Sequence, residues 1–242
     1  MRAVVGENSG WGGVVAVGPW WLLYTGIYGP TGRHAHHAVQ VIASAQAVTV
    51  RCDAEVLVGS TVTIPSDHSH EIVSSGLATM VFVDADSTAG RRLNADGEPV
   101  VGHTPIVPLA GRSQRVVETV LAAVDPQMVA EPAPVTPEIA TVLAALADDP
   151  DAGTLAGFAA HAGMSPSRFS QRFAREVGLP LRSYRRWMRM VHAIEALSGG
   201  ATLTAAAHRA GFADSAHLSH TFRDHFGLAP TDLFAGSRFE QP

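Results

Sequence analysis

The sequence has few of the features that tie a chain to an oxidising compartment or to a membrane. Its 242 residues include one cysteine, Cys52, so no disulfide can form within the chain. No stretch approaches the roughly 18 consecutive apolar residues of a membrane span, and the first residues show no sustained apolar run. Lysine is absent, which we interpret as compositional bias. We therefore expect a cytoplasmic protein that has no membrane partner.

Positive charge is concentrated in one segment of a chain whose net charge is −5. Residues 165–192 hold seven arginines and one acidic residue, Glu176, a local charge of +6. The arginines are Arg168, Arg172, Arg175, Arg182, Arg185, Arg186 and Arg189. A solvated helix face would explain such a stripe, but a basic stripe on an acidic protein is also typical of a phosphate-binding face.

A short pattern occurs twice near the C-terminus. In each copy a small residue lies four positions before a glycine, and two apolar residues four apart follow. The first copy has Ala159, Gly163, Phe169 and Phe173, and the second has Ala207, Gly211, Leu218 and Phe222. The small residue lets two helices cross closely, the glycine permits the turn, and the apolar pair packs the second helix on the first. The pattern predicts two helix-turn-helix units.

The remaining positions of each second helix are polar and suited to base edges and phosphates. The first unit offers Ser165, Ser167, Arg168, Gln171, Arg172 and Arg175, and the second offers Ser215, His217, Ser219, His220 and Arg223. Arg185, between the units, is a further candidate for phosphate contact. The second unit is noticeably less basic than the first.

The stretch Leu181–Leu197, between the two units, has no glycine or proline and predicts one continuous helix. Its apolar residues recur at helical spacing: Tyr184, Trp187, Met188, Val191, Ile194 and Leu197. A helix of this length spans roughly 25 Å at about 1.5 Å per residue. With the width of the flanking units, it can set two recognition helices about one DNA turn, ~34 Å, apart.

Residues from about 137 to 234 resemble the DNA-binding domain of the AraC/XylS family of transcription regulators. The resemblance is carried by Ser165-Pro166-Ser167-Arg168-Phe169 and Phe173, by Tyr184, Arg189, Ala193 and Leu197, and by Ala210-Gly211-Phe212, Asp214-Ser215, Leu218-Ser219, Phe222-Arg223, Gly227 and Pro230. Leu218 and His220 depart from the residues usual in the family. The resemblance implies duplex DNA, a small-molecule effector, RNA polymerase and a second copy of the chain as partners.

A proline-rich segment over residues 125–136 predicts a linker between two domains. We expect domains at 1–124 and 137–236, the second opening with a helix at Thr136-Pro137-Glu138. Another amphipathic helix is predicted over Gly111–Val124. Part of its apolar stripe must pack on the first domain, and the remainder could pair with a second subunit.

Short strands broken by glycine and proline are predicted before the linker. They are Trp20–Tyr28, Ala38–Ser44, Ala47–Cys52, Ser60–Ile64, Glu71–Ser74 and Leu77–Val83. Their close spacing favours a sandwich or barrel that can hold one ligand. The predicted fold class is α+β with two domains: a cupin-like β-barrel followed by an all-α domain with two helix-turn-helix units.

Four polar residues of the predicted barrel, His34, His36, Gln40 and His70, resemble the two metal motifs of cupin barrels. Gln40 stands where the family has glutamate, which removes an anionic ligand. Imidazoles at this spacing could hold a divalent transition metal. The alternative is that they are polar pocket or turn residues of a regulatory barrel that holds no metal, and a third possibility is a proton-sensitive pocket.

The sequence therefore favours a one-component transcription regulator, not an enzyme, with an effector bound in the barrel. The resemblance and the duplicated motif support this interpretation most directly. One alternative is a metal-dependent cupin enzyme with an autoregulatory DNA-binding domain. A third interpretation is an architectural DNA-binding protein that has no ligand.

Overall fold

Runs of valine, isoleucine and aromatic residues form one sheet in the first half of the chain. The computed structural model describes residues 11–53, 55–106, 112–129, 135–177, 179–227, 229–234 and 237–240. Its strands are β1 (Gly12–Val17), β2 (Trp21–Tyr28), β3 (Val39–Cys52), β4 (Glu55–Ile64), β5 (His70–Ile72), β6 (Gly76–Val83), β7 (Val100–Gly102) and β8 (Ser237–Phe239).

The strand order is β7-β4-β3-β6-β2-β1-β8, with β5 paired to β3 beside this path. Neighbours are antiparallel except β1 and β8, which run parallel. The predicted architecture of a sheet domain followed by helices is confirmed. Among the described strands the order does not close on itself, so the expected barrel is an open sheet.

One long strand replaces two predicted ones. The break expected between Ser44 and Ala47 is a register shift between Ala43 and Val48, inside the 14-residue strand β3. The shift lets β3 pair with β4 on both sides of the irregularity. Strand β1 was not predicted because Gly12 and Gly13 weaken its pattern, and β7 and β8 have only three residues each.

Helices make up most of the second half. They are α1 (Thr88–Leu93), α2 (Ser113–Val124), α3 (Pro137–Asp148), α4 (Leu155–His161), α5 (Pro166–Val177), α6 (Leu181–Ser198), α7 (Leu203–Arg209), α8 (Ser215–Phe226) and α9 (Pro230–Phe234). The helices predicted at the positions of α2, α3 and α6 are confirmed. Within the described residues, no helix is both long and apolar enough to span a bilayer.

Helix α2 uses its apolar stripe within the chain. Val116, Val117, Val120 and Leu121 are all buried against the sheet. The opposite face carries Gln114, Arg115, Glu118 and Thr119, which are exposed. The last apolar residue of the stripe, Val124, is half-buried and packs against the same cluster. The stripe therefore leaves little apolar surface on α2 for a second subunit, and homodimerisation stays a prediction.

The predicted linker begins as a short 3-10 helix, Pro126–Val129. Arg92 contacts the beginning of this 3-10 helix, because its guanidinium donates hydrogen bonds to the Asp125 carboxylate and to the side-chain oxygen of Gln127. Residues 130–134 of the linker lie outside the described residues. The domain limits 1–124 and 137–236 stay predictions, and β8, which lies beyond the second limit, pairs with the sheet.

Helix α6 joins the helical region to the sheet through Trp187. The ring is fully buried, and its Nε1 donates a hydrogen bond of 2.6 Å to the carbonyl oxygen of Gly18, just after β1. Its other faces contact His225 and Phe226 at the end of α8, with ring centroids 5.4 and 5.9 Å away. Phe226 in turn contacts Phe82 of β6. The sheet and the helices therefore share one continuous core.

We expect Trp187→Phe to lower the free energy of unfolding by about 1–3 kcal/mol, because the Gly18 carbonyl would lose its buried donor while the ring still fills its site. Urea denaturation of the full chain measures this loss. Trp20→Phe is the control, since the half-buried Trp20 indole makes no hydrogen bond within the described residues. Equal losses in both variants would contradict this role for the Trp187 bond.

Candidate nucleic-acid interface and histidine cluster

The first helix-turn-helix unit consists of α4 and α5. Ala159 of α4 is fully buried, and Gly163 in the turn has φ +63°, a conformation that favours glycine. Phe169 and Phe173 of α5 are also fully buried, so α5 packs along one side only. The predicted roles of these four residues are confirmed.

The second unit, α7 and α8, repeats the arrangement. Ala207 is fully buried, Gly211 has φ +75°, and Leu218 and Phe222 are fully buried. The side chain of Asp214 accepts a hydrogen bond of 2.7 Å from the amide of His217 and caps α8. The duplication in the sequence is therefore a duplication of structure.

Most of the predicted contact residues at α5 lie at the surface. Ser165, Ser167, Arg168, Gln171 and Arg175 are exposed. The hydroxyl of Ser165 accepts from the amide of Arg168 and begins the helix.

Arg172 belongs to an internal network instead. Its Nε donates to Glu176 Oε1 at 2.8 Å, and the other carboxylate oxygen accepts from the amide and hydroxyl of Thr136. This network joins α5 to the start of α3. We therefore do not include Arg172 among the proposed DNA contacts.

The exposed side of α8 carries the predicted residues of the second unit. His217, His220 and Arg223 are exposed, while Ser215 and Ser219 are half-buried. The Ser219 hydroxyl donates to the Ser215 carbonyl at 2.8 Å. His220 Nδ1 lies 2.7 Å from the Asp224 carboxylate, which makes this face close to neutral.

Three further arginines of the basic stripe are bound within the protein. Arg185 donates to the carbonyls of Ala152 and Gly153 at 2.7 and 2.8 Å, and lies over the Phe158 ring. Arg189 bonds Asp151, and Arg186 faces Asp84 and Asp86 of the sheet region. The expectation that Arg185 meets phosphate is not supported by this placement. Arg168, Arg175 and Arg182 are the exposed arginines of the stripe.

Three histidines of the sheet region lie close together, although they come from two separate segments of the chain. His34 bridges to His70, where β5 begins, and residues 37 and 38 bend before β3 begins at Val39. One nitrogen from each of His34, His36 and His70 lies within 4.8 Å of the others. Gln40 joins them, with its Oε1 3.2 Å from His36 Nε2. We call these four residues the histidine cluster.

Burial keeps this cluster uncharged. Burial, more than the neighbouring histidine rings, lowers the pKa of His36 to about 4 and that of His70 to about 3. Burial also lowers the pKa of His34, which is half-buried. Near neutral pH all three imidazoles therefore carry a free nitrogen lone pair.

The carboxyl end of α8 is seated on the histidine cluster. The amide of His37 donates to the Asp224 carbonyl at 2.7 Å, and the amide of Ala38 donates to the His225 carbonyl at 3.2 Å. Gly227, which ends α8 with φ +73°, has no room for a side chain: a Cβ there would lie 2.2 Å from His34 Cδ2 and 2.8 Å from His36 Cδ2.

Sequence reasoning missed the buried polar contact beside this seat. His225 Nε2 lies 3.6 Å from Asp84 Oδ2, and neither atom has a hydrogen-bond partner. Burial lowers the pKa of His225 well below its usual value and raises that of Asp84. The sequence carries no clear signal for this contact, because an aspartate followed by Asp86, Ser87 and Thr88 is typical of an exposed turn after a strand.

A cavity of about 480 Å³ opens beside the cluster. One wall is residues 30–34 and Trp11 from the sheet region, and the other is Arg223, Gly227, Ala229 and Asp232. His34 belongs to both the cavity and the cluster. Both parts of the chain therefore shape this space.

Two helix-turn-helix units on one connecting helix, each with a polar exposed second helix, define a class of duplex-DNA-binding proteins. A protein family described as a helix-turn-helix domain matches residues 158–236. This match covers about a third of the chain, and it confirms that the C-terminal region is a helix-turn-helix domain, as the duplicated motif predicts.

The chain is also similar to several solved structures. The unsaturated fatty acid-bound ToxT of Vibrio cholerae is 10% identical over 90% of this chain and 95% of its own, with a TM-score of 0.49. The C-terminal domain of AraT from Geobacillus stearothermophilus is 20% identical over 45% of this chain and 92% of its own, with a TM-score of 0.39. A DNA-binding transcriptional dual regulator from Escherichia coli K-12 is 23% identical over 43% of this chain and 95% of its own, with a TM-score of 0.34. No curated protein sequence matches the chain.

Arg185→Ala should destabilise the fold by about 1–3 kcal/mol, because two carbonyls in the α3–α4 turn lose a charged donor. The slope of log affinity against log salt for duplex DNA should stay unchanged, since this arginine releases no phosphate counterion. Denaturation and a salt series of DNA-binding measurements test the two expectations. A shallower salt slope without loss of stability would return Arg185 to the phosphate contacts.

Stability should fall when the pH is lowered from about 6.5 to about 4. The folded-state pKa values of His36, His70 and His225 lie below the unfolded value, so the unfolded chain binds more protons in this window and gains free energy relative to the folded chain. Each histidine contributes at most about 1.4 kcal/mol per pH unit. Asp84, with its raised pKa, opposes the effect.

Urea denaturation at several pH values, in the presence of a chelator, measures this dependence. His225→Phe should reduce the acid-induced loss, because a phenyl ring can replace the imidazole among Trp187 and Phe226 without titrating. Trp187→Phe, which changes the ring packed against His225 but keeps the imidazole, should not. An identical pH dependence in wild type and His225→Phe would rule out His225 as a contributor.

Proposed function

We propose that the protein is a sequence-specific transcription regulator that acts on duplex DNA in the cytoplasm under the control of an effector received by its sheet region. One observation carries the proposal: the buried residues of α5 and α8 occupy equivalent positions, and through them each helix packs on its supporting helix, α4 or α7. Both helices turn polar side chains outward. Helix α6, 18 residues long, connects the two units over roughly 27 Å. That length is compatible with successive major grooves.

The first unit is proposed to supply most of the base recognition. Arg168 is exposed on the first turns of α5, and an arginine in this position can bond guanine with two donors. Gln171 lies one turn further and matches the two-bond contact to adenine. Ser165 and Ser167 lie at the amino end of α5, where hydroxyls and amides suit phosphate.

The second unit is proposed to rely less on charge. Ser215, His217, Ser219, His220 and Arg223 remain its candidate contacts. Because His220 is paired with Asp224, we assign it a hydrogen-bonding role and not phosphate neutralisation. Arg175, Arg182 and Arg223 are the proposed phosphate contacts around the two units.

Control is proposed to act through the contact between the sheet and α8. An effector in the cavity beside His34 would touch both parts of the chain, and it would therefore bind differently when α8 moves. A ligand shifts a conformational equilibrium only by such a difference in affinity. Homodimerisation and contact with RNA polymerase are further proposals that come from the resemblance.

The histidine cluster is the observation in favour of a metal-dependent enzyme. An enzyme of that kind needs an open position on the metal for its substrate. Here Gly227 lies directly against His34 and His36. This packing favours a regulator over an enzyme.

Arg168→Ala should weaken binding to the preferred sequence by about 1–3 kcal/mol and relax the choice of base at one position. Arg182→Ala should weaken binding to all sequences and reduce the salt slope by about 1. Sequences selected from a random duplex pool, followed by titration at several salt concentrations, provide both measurements.

Arg115→Ala is the control for charge, because Arg115 is exposed on α2 in the sheet region. It should leave both quantities unchanged. If Arg168→Ala and Arg182→Ala bind the selected duplex as tightly as the wild type, the assignment of α5 and the start of α6 to the DNA interface is wrong.

A further inference from the structure

The chain ends in a strand that returns to the sheet. Strand β8 runs parallel to β1, with Phe239 paired to Val15. Just beyond the strand, the amide of Glu240 donates a hydrogen bond of 2.9 Å to the Val15 carbonyl. The Phe239 ring is half-buried and packs against the core that the sheet shares with the helices. The last described residues are therefore held to the sheet by both backbone and side chain.

Strand β8 is an addition to the helix-turn-helix domain. The matched family covers residues 158–236, and β8 begins at Ser237. Helix α9, which lies between α8 and this strand, buries Leu233 in the common core. The chain thus links β8 to the second unit, while hydrogen bonds pair it with the sheet. A movement of the second unit away from the sheet must therefore strain or break the pairing of β8 with β1.

This pairing is easier to break than the packing at the end of α8. Strand β8 has three residues, and no described strand pairs with its other edge. Phe226, at the end of α8, is by contrast buried between Trp187 and Phe82. Short edge segments with few buried contacts are the parts of a protein that open locally at low free energy. We therefore expect β8 to open before the end of α8 does.

The contact with the sheet also places the second unit beside negative charge. Residues 11–106 contain four arginines and eight acidic residues, a net charge of −4. One of these acids, Asp67, is exposed near the end of α8. Its carboxylate lies 3.4 Å from His37 Nδ1, and the His37 amide donates to the Asp224 carbonyl of α8. Because charges within a Debye length of about 10 Å are poorly screened, this acidic surface repels DNA phosphates that approach α8.

We propose that β8 is an autoinhibitory latch of the regulator. While β8 is paired with β1, the second unit stays against the acidic sheet. When β8 leaves β1, the end of α8 separates from the amides of His37 and Ala38, and the unit binds DNA more tightly. Pairing of β8 and binding of DNA then oppose each other by linkage. The inhibitory role rests on the proposed DNA-binding function, whereas the coupling of β8 to the end of α8 does not.

The first experiment compares two variants of Glu240 by amide hydrogen exchange in the full chain without DNA. Glu240→Pro removes the amide that donates to Val15, and proline suits the end of an edge strand. Glu240→Ala keeps this amide and loses the side chain, with its contact to Arg238. In Glu240→Pro, exchange should rise about 5-fold in β8, at His37 and Ala38, and in the last turns of α8.

Glu240→Ala is the matched control, because both variants lose the same charge. It should exchange like the wild type. If faster exchange in Glu240→Pro is confined to β8, the end of α8 is held independently of this strand and the latch is wrong.

The second experiment locks the strand reversibly. Val14 and Arg238 lie opposite each other in a parallel pair. Their side chains therefore share one face, and their Cα atoms lie about 4.8 Å apart, within the range of a disulfide. Val14→Cys with Arg238→Cys, in a chain that also carries Cys52→Ala, can be oxidised and then reduced. The oxidised form should bind a duplex selected with the wild type at least about 10-fold more weakly than its own reduced form.

Arg238→Cys with Cys52→Ala alone is the control for oxidation, and its DNA affinity should be the same in both redox states. On the same duplex, Glu240→Pro should bind about 5-fold more tightly than Glu240→Ala. Equal affinities of the oxidised and reduced two-cysteine forms would overturn the inhibitory role and leave the proposed function intact. If no form binds any duplex, the proposed function fails with the inhibitory role, and the exchange experiment still decides whether β8 is coupled to α8.

Discussion

The seating of α6 and the end of α8 on the sheet is the constraint on which the rest of the structure depends. Trp187, fully buried, donates across this contact to Gly18 and packs against His225 and Phe226. Backbone amides of His37 and Ala38 in the sheet region donate hydrogen bonds to carbonyl oxygens at the end of α8. Because hydrogen bonds and aromatic packing cross the same boundary, the DNA-binding units cannot change position without disturbing the sheet.

In the proposed function, this arrangement provides a short path between a bound ligand and DNA. The segment before β3 holds α8 by its amides and contributes His34 and His36 to the cluster. A ligand at the cluster and duplex DNA on α8 would therefore bias the same contact. By linkage, each would change the affinity of the other by the same factor.

The arginines illustrate how tertiary structure divides residues that look alike in a sequence. All seven arginines of residues 165–192 fit a phosphate-binding stripe. Arg172, Arg185, Arg186 and Arg189 instead neutralise acids or satisfy carbonyls inside the protein. Counting the arginines of this segment therefore overstated the basic surface. The periodicity of the sequence shows which face of a helix a residue occupies, but it does not show which groups of a neighbouring segment that residue contacts.

Local patterns in the sequence were sufficient for the helix-turn-helix units, the long helix α6, most strands and the residues of the histidine cluster. Each depends on spacing within a few residues: Ala159 and Gly163 for the turn, Phe169 and Phe173 for packing, and valine-rich runs for strands. Only the tertiary structure decided that the sheet is open among the described strands, that α2 is covered within the chain, and that α8 ends on His34 and His36. Those features depend on contacts such as His225 with Asp84, which are 141 positions apart, and no local periodicity encodes which distant surfaces meet.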